Sequence, residues 1–400
     1  MGTVNVPNSW QRALVGLCDF VAGDPKIEIS LNIVAIPGDV RARFYQLFDA
    51  VRVSFLEEKF PDLIDGARHL SRSYVKAEKE VTKLLELDEV SLPTNLNRFL
   101  HEPTNSLMRG LSDPLFNLLK GKIDTEVFGQ EATSIIEGSF RNSYRSGYKK
   151  WVALSLVKLL VPDRAFNITP PEFDSGAEAD VQIDREDLTP EPVETKRLSF
   201  EQGLSSGFLA PDFIVHSVKI DGYAALGTEL GHANWTATKV SDKREWHAIN
   251  DIVKKYGRIA LQPDLTIYID DEPEDIALIA NLDRFCRPDL IIECLAQKEG
   301  PEKVSLERIK LRHDTLKPRL GTYIVSRVSV PEEVYKELVP QQVSKESAPE
   351  QASQKPTPEQ TAKKQEADIH ILTVGFDQSR LETIIELLTS QKGSTTDGNQ

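Results

Sequence analysis

Glu293 is the residue of this chain whose setting most needs a chemical explanation. It follows Leu290-Ile291-Ile292 within Arg287–Gln297, which reads R-P-D-L-I-I-E-C-L-A-Q. A short continuous apolar run rich in β-branched residues reads as a strand buried on both faces. A carboxylate in such a strand must be paired, protonated or bound to a cation, because desolvating it alone is too costly. Pairing with an Arg or Lys is the structural reading, and a functional site is the other. Pro211-Asp212 and Pro263-Asp264 sit in further strand-like runs, where Pro-Asp is commonly a strand-entry turn. No phosphate-cradling G-x-x-x-x-G-K-[ST] or G-x-G-x-x-G and no H-E-x-x-H occurs, so nucleotide hydrolysis, dinucleotide binding and zinc hydrolysis lack their motifs. His232, Trp235, Trp246 and His247 are close enough in sequence to stack on a base, although such residues more often fill a core edge.

The elements that must position these residues are legible as patterns. Val40, Phe44, Leu47, Phe48, Val51 and Phe55 recur at helical spacing and predict a helix over 39–60, ended by Pro61. A second charged helix is expected over 74–87, and short packed helices among Pro103 and Pro114. The strongest helical pattern runs from Asp124 to Leu160. The acidic, proline-rich stretch 170–197 reads as a solvated excursion. Strands are expected over 208–220, 258–270, 287–296 and 321–326. Helices are expected over 243–256, 305–316 and 334–338. Ile276–Ile279 reads as a short apolar run leading into the central strand. Residues 341–367 offer almost nothing to bury and read as a disordered linker. Beyond it a strand over 369–376 and a helix over 379–388 cannot form a domain alone, so they dock on the main body or a partner, or open a longer unit.

At 400 residues, two or more domains are expected, and 40% hydrophobic with 28% charged residues fits a soluble protein. No stretch approaches the roughly 20 apolar residues of a membrane span. The three cysteines show no metal-ligand spacing, and the expected compartment is the cytoplasm. A net charge of −14 argues against a general nucleic-acid coat but not against a local basic groove. Two basic clusters exist, Arg141/Arg145/Lys149/Lys150 and Arg308/Lys310/Arg312/Lys317/Arg319, each also readable as a solvated helix face.

A helix with glutamates, strands with Pro-Asp pairs, the run Pro288-Asp289-Leu290-Ile291-Ile292-Glu293, a basic helix and a strand follow in order. Over residues 125–338 this order resembles the PD-(D/E)XK nuclease superfamily, the restriction-endonuclease-like fold. The resemblance implies an α/β architecture, a mixed sheet flanked by helices, here preceded by an all-helical N-terminal region. It implies an Asp and a Glu on adjacent strands holding one or two divalent cations, Mg²⁺ or Mn²⁺ given oxygen-only ligands. Asp289 lies four residues from Glu293, about 13 Å along one strand, so the two cannot share an ion. Asp264, 29 residues before Glu293, is favoured, and Asp212 is the reserve.

In the family a Lys two residues after the Glu supports the nucleophile, and here that position is Leu295. Gln297 and Lys298 are the substitutes, or Lys219 or Lys310 from a neighbouring element. The expected metal set is Asp264, Glu293 and Glu137, with Glu131 in reserve; Arg308, Lys310 and Arg312 would hold the phosphate backbone. The implied function is Mg²⁺-dependent phosphodiester hydrolysis, of DNA in preference to RNA. The alternative is a catalytically silent nuclease-fold scaffold that binds nucleic acid or protein. A Lys amine within hydrogen-bonding range of Glu293 would count against the silent reading. The expected domains are a helical region 1–124, serving as a lid, homodimer surface or partner-binding module, the α/β domain 125–340, the linker 341–367 and the tail segment 368–390.

Overall fold

Phe44, Phe48, Val51 and Phe55 line one face of a helix over Gly38–Lys59, where Asp39 and Lys59 match the helix dipole at its two ends. The computed structural model describes residues 9–169, 191–200, 211–228, 243–248, 250–251, 254, 263–277, 284–296, 303–334 and 369–390. The expected linker 341–367 and the first part of the acidic excursion, 170–190, lie outside the described residues. The chain divides into two units, one of residues 1–76 and 93–148, the other of 77–92 and 149–400. The division expected at 124/125 marks the start of a long helix over Thr125–Leu159, whereas the units part within that helix.

The first unit is helical. It contains α1 (Ser9–Gly23), a short hairpin of β1 (Glu28–Ile29) and β2 (Val34–Ala35), α2 (Gly38–Lys59) and the start of α3 (Pro61–Leu84). It continues through α4 (Thr94–His101), α5 (Pro103–Gly110), α6 (Ser112–Leu119) and most of α7 (Thr125–Leu159). Pro61 follows α2 and also opens α3, because proline is well placed at a first helical position. The charged helix expected from residue 74 therefore begins 13 residues earlier. Rings tie the helices together: Phe48 lies 4.6 Å from Phe116, and Phe55 lies 5.4 Å from Trp10 and 5.3 Å from Phe128. Gly147 lets α7 approach closely, since a Cβ there would meet Leu100 Cδ2 at 2.8 Å and Leu70 Cδ2 at 3.0 Å.

The second unit is α/β: a large mixed sheet flanked by helices. Its strands are β3 (Glu89–Ser91), β4 (Pro162–Thr169), β5 (Glu191–Glu194), β6 (Arg197–Ser199), β7 (Phe213–Ser217), β8 (Gly222–Gly227) and β9 (Trp246–Ala248). They continue with β10 (Leu265–Asp270), β11 (Arg284–Cys286), β12 (Leu290–Leu295), β13 (Thr322–Ser326) and β14 (Ile369–Thr373). Among the described residues eight of these form one sheet, in the order β14-β13-β12-β10-β8-β7-β4-β5. The pairs β12–β13 and β13–β14 are parallel and the other neighbours antiparallel. Its helices include the end of α7, α8 (Glu274–Ala277), α9 (Lys303–Leu316) and α10 (Glu382–Ser390). Leu306 and Ile309 of α9 pack on Ile324 with Leu295, Ile369 and Ile371 beside them.

Three local expectations are corrected. Residues 246–248, expected in a helix, form β9 paired to β11, and Trp246 packs against the core: tertiary contact overrides the local pattern. The apolar run at 276 starts within α8 rather than as an extended lead-in, opened by Glu274 and Asp275, which suit a helix N-terminus. The end of the acidic excursion is solvent-exposed as expected but is a strand, because Glu191–Glu194 pair with Phe166–Thr169 and close one edge of the sheet. Of the fates open to the tail segment, docking on the body is the one found: β14 is the opposite edge strand. Among the described residues no helix is long and apolar enough to cross a membrane.

Candidate functional site

Asp264 and Glu293 face each other across two antiparallel strands. The register pairs Leu265 with Ile292, so the next step outward sets Asp264 opposite Glu293. Antiparallel pairing also makes β7 and β10 begin where β8 and β12 end, bringing Asp212, Thr228, Asp264 and Glu293 to one end of the sheet. Asp264 and Glu293 are each only 2% exposed.

The Pro-Asp pairs share one structural device. Each Asp precedes its strand and accepts a backbone N–H from the neighbouring strand, two residues beyond the first registered partner. Asp212 Oδ2 takes Thr228 N at 2.8 Å, Asp264 Oδ2 takes Cys294 N at 2.8 Å, and Asp289 Oδ2 takes Ile269 N at 2.7 Å. Strand entry is thus part of the role of all three. They differ in what holds the rest of the carboxylate. Asp289 is gripped by Arg244 at 2.8 Å and Arg319 at 2.7 Å. Asp212 also accepts from the Thr228 hydroxyl, which in turn accepts from the Lys150 amine. Asp264 Oδ1 holds the Lys149 amine at 2.6 Å.

Glu293 is held by Arg312 of α9, whose Nη1 lies 2.7 Å from both carboxylate oxygens. Burial pushes the Glu293 carboxyl up to about 7, the Asp264 carboxylate adds to the rise, and Arg312 and Lys149 oppose it. Two acids and two bases therefore form a compact buried cluster delivered by four elements: the entry to β10, β12, α7 and α9. Two opposed carboxylates with only oxygen donors fit a hard divalent cation such as Mg²⁺, which takes one or two protein carboxylates and completes its shell with water and phosphate oxygens. Among the described residues no group of three His, Cys, Asp or Glu gathers as a ligand set.

The expected residues thus divide. Asp264, Glu293 and Arg312 come together, and Asp212 sits on the same rim. Glu131 and Glu137 belong to the helical unit and are exposed. Arg308 is exposed and Lys310 half-buried on α9, while Arg312 alone of that trio turns onto Glu293. Lys219 is exposed in the turn after β7, at the end of that strand away from Asp212. Gln297 and Lys298 lie outside the described residues, as do His232 and Trp235. The amine that enters the cluster is Lys149, and its hydrogen-bonded partner is Asp264 rather than Glu293.

Sequence reasoning places Lys149 and Lys150 only in a basic cluster. A usable signal is present: they adjoin Trp151–Val157, a helical stretch buried on every side, so neighbouring charges tend to turn inward. No protein-family model, no curated protein and no solved structure matches this chain.

Proposed function

We propose that the chain is a divergent nuclease-like enzyme that hydrolyses phosphodiester bonds of DNA at the Asp264–Glu293 rim with Mg²⁺ or Mn²⁺. The observation that carries this reading is the opposition of two buried carboxylates on adjacent strands, with a lysine amine brought onto one of them from α7. Asp264 and Glu293 would hold the cation. When bound, it lowers the pKa of a coordinated water and neutralises charge gathering on the phosphate. Lys149 takes the place left by Leu295: its ammonium holds a proton beside Asp264, where it orients the attacking water. Arg312, released from Glu293, pairs with a phosphate oxygen.

A second reading, a silent nuclease-fold scaffold, draws on one specific observation. Arg312 already neutralises Glu293, so the pair is satisfied without any cation. Cleavage of supercoiled and linear DNA with Mg²⁺ or Mn²⁺ separates the two. Lys149→Met is expected to slow cleavage by about 10²–10³-fold, the usual contribution of a preorganised charged donor. Wild-type protein that binds DNA but cuts it with neither metal supports the scaffold.

A further inference from the structure

We propose that residues 369–390 are a docking segment that fills a strand-and-helix site on the α/β body, and that the same segment of a second copy of this chain can fill it. The inference is independent of the nuclease reading. β14 pairs with β13 over five residues, from Thr322↔Ile369 to Ser326↔Thr373. The chain then turns on Gly375, in the left-handed region at φ +62°, and the Val374 amide donates to Ser326 O at 2.8 Å. Phe376 meets the Trp151 ring edge-on at 5.1 Å, and the Lys158 amine donates to Gln378 Oε1 at 2.9 Å. Leu381, Ile384, Ile385 and Leu388 are fully buried.

A segment of this length cannot bury four such side chains within itself, so its order derives from the surface it covers. Backbone pairing gives affinity and the buried apolar row gives specificity, as in recognition by strand addition. The covalent path from the body to the segment runs over residues 335–368. Covalent attachment gives the intrachain segment an effective concentration on the order of millimolar. Every contact that seats it is equally available to the identical segment of another chain, which is the condition for exchange between copies.

Two measurements on the full chain test this. First, a protease site is placed between residues 345 and 360 and cut. The C-terminal fragment is expected to co-elute with the body at about 10 µM, without the millimolar advantage of the tether. An excess of tagged synthetic peptide spanning 366–391 should replace it, and the Ile384→Asp/Ile385→Asp peptide should not. Second, the intact chain is unfolded and refolded. Dimer by light scattering is expected after refolding at about 1 mM and not at about 1 µM, where the intrachain segment wins; the same double substitution in the chain should remove that dimer. A fragment that elutes alone, a tagged peptide that is not taken up, or refolding at about 1 mM that gives only monomer would overturn the proposal.

Discussion

Lys149 and Glu293 make opposite demands on the same cluster, and each can be tested by a conservative change. Lys149→Met removes the ammonium held by the buried Asp264 carboxylate and should destabilise the fold by about 3–5 kcal/mol, read by urea unfolding. Lys149→Met with Asp264→Asn removes both charges and should recover most of that loss. Glu293 carries the pH dependence. Its folded-state value is raised from 4.5 to about 7, so the stability it contributes is fully present below about 4.5 and is lost as pH rises toward 7. At about 1.4 kcal/mol per unit, the loss is about 3 kcal/mol. Glu293→Gln should therefore gain on wild type between pH 5 and 8, and a wild type that gains on the variant would show the Arg312 ion pair prevailing. Glu293 announces itself in the sequence because a carboxylate inside L-I-I-E-C-L must be paired, protonated or bound to a cation. Lys149 does not, because which side of a helix a lysine takes depends on what packs there, and that partner lies 115 residues further along.

At the scale of elements, strands are easier to place than their edges. Asp264 is found through its Pro-Asp pair, yet Asp212 and Asp289 make the same backbone bond, so the motif alone marks strand entry rather than chemistry. The discriminating feature is the Glu293 carboxylate set opposite Asp264 by the strand register, which no local pattern encodes. Asp289→Ala tests the structural role of the device: it removes the acceptor of the Ile269 amide and one of the two carboxylates on Arg244, which keeps Asp270 at 3.0 Å, and should cost about 1–3 kcal/mol without touching the Asp264 rim. The junction from α7 into β4 offers a gain instead. Val161 is half-exposed and holds φ +52°, a conformation that costs a β-branched residue about 1–2 kcal/mol. Val161→Gly should raise stability by about 1 kcal/mol, measured by the same unfolding curves. The helical pattern over 243–256 holds at 250–251 and 254 but misleads over 246–248 for a related reason: Trp246 packs against the core and its segment pairs with β11.

Across the whole molecule, a net charge of −14 confines the proposed DNA binding to a local basic surface. Arg308 and Lys310 stand on α9 close to the acidic Glu307, so the basic character of that helix rests on a few side chains whose removal should be visible. Arg308→Ala with Lys310→Ala should weaken duplex binding and reduce the slope of log K against log salt by up to about 2. The proposed uptake of a divalent cation by Asp264 and Glu293 together is measured by titration calorimetry with Mg²⁺ and Mn²⁺ at about pH 7.5, above the raised Glu293 value. Saturable binding is expected for wild type and is expected to be lost in Asp264→Asn and in Glu293→Gln, both of which keep the shape of the site. Folded wild type that takes up neither ion, or binding that both variants retain, would contradict it.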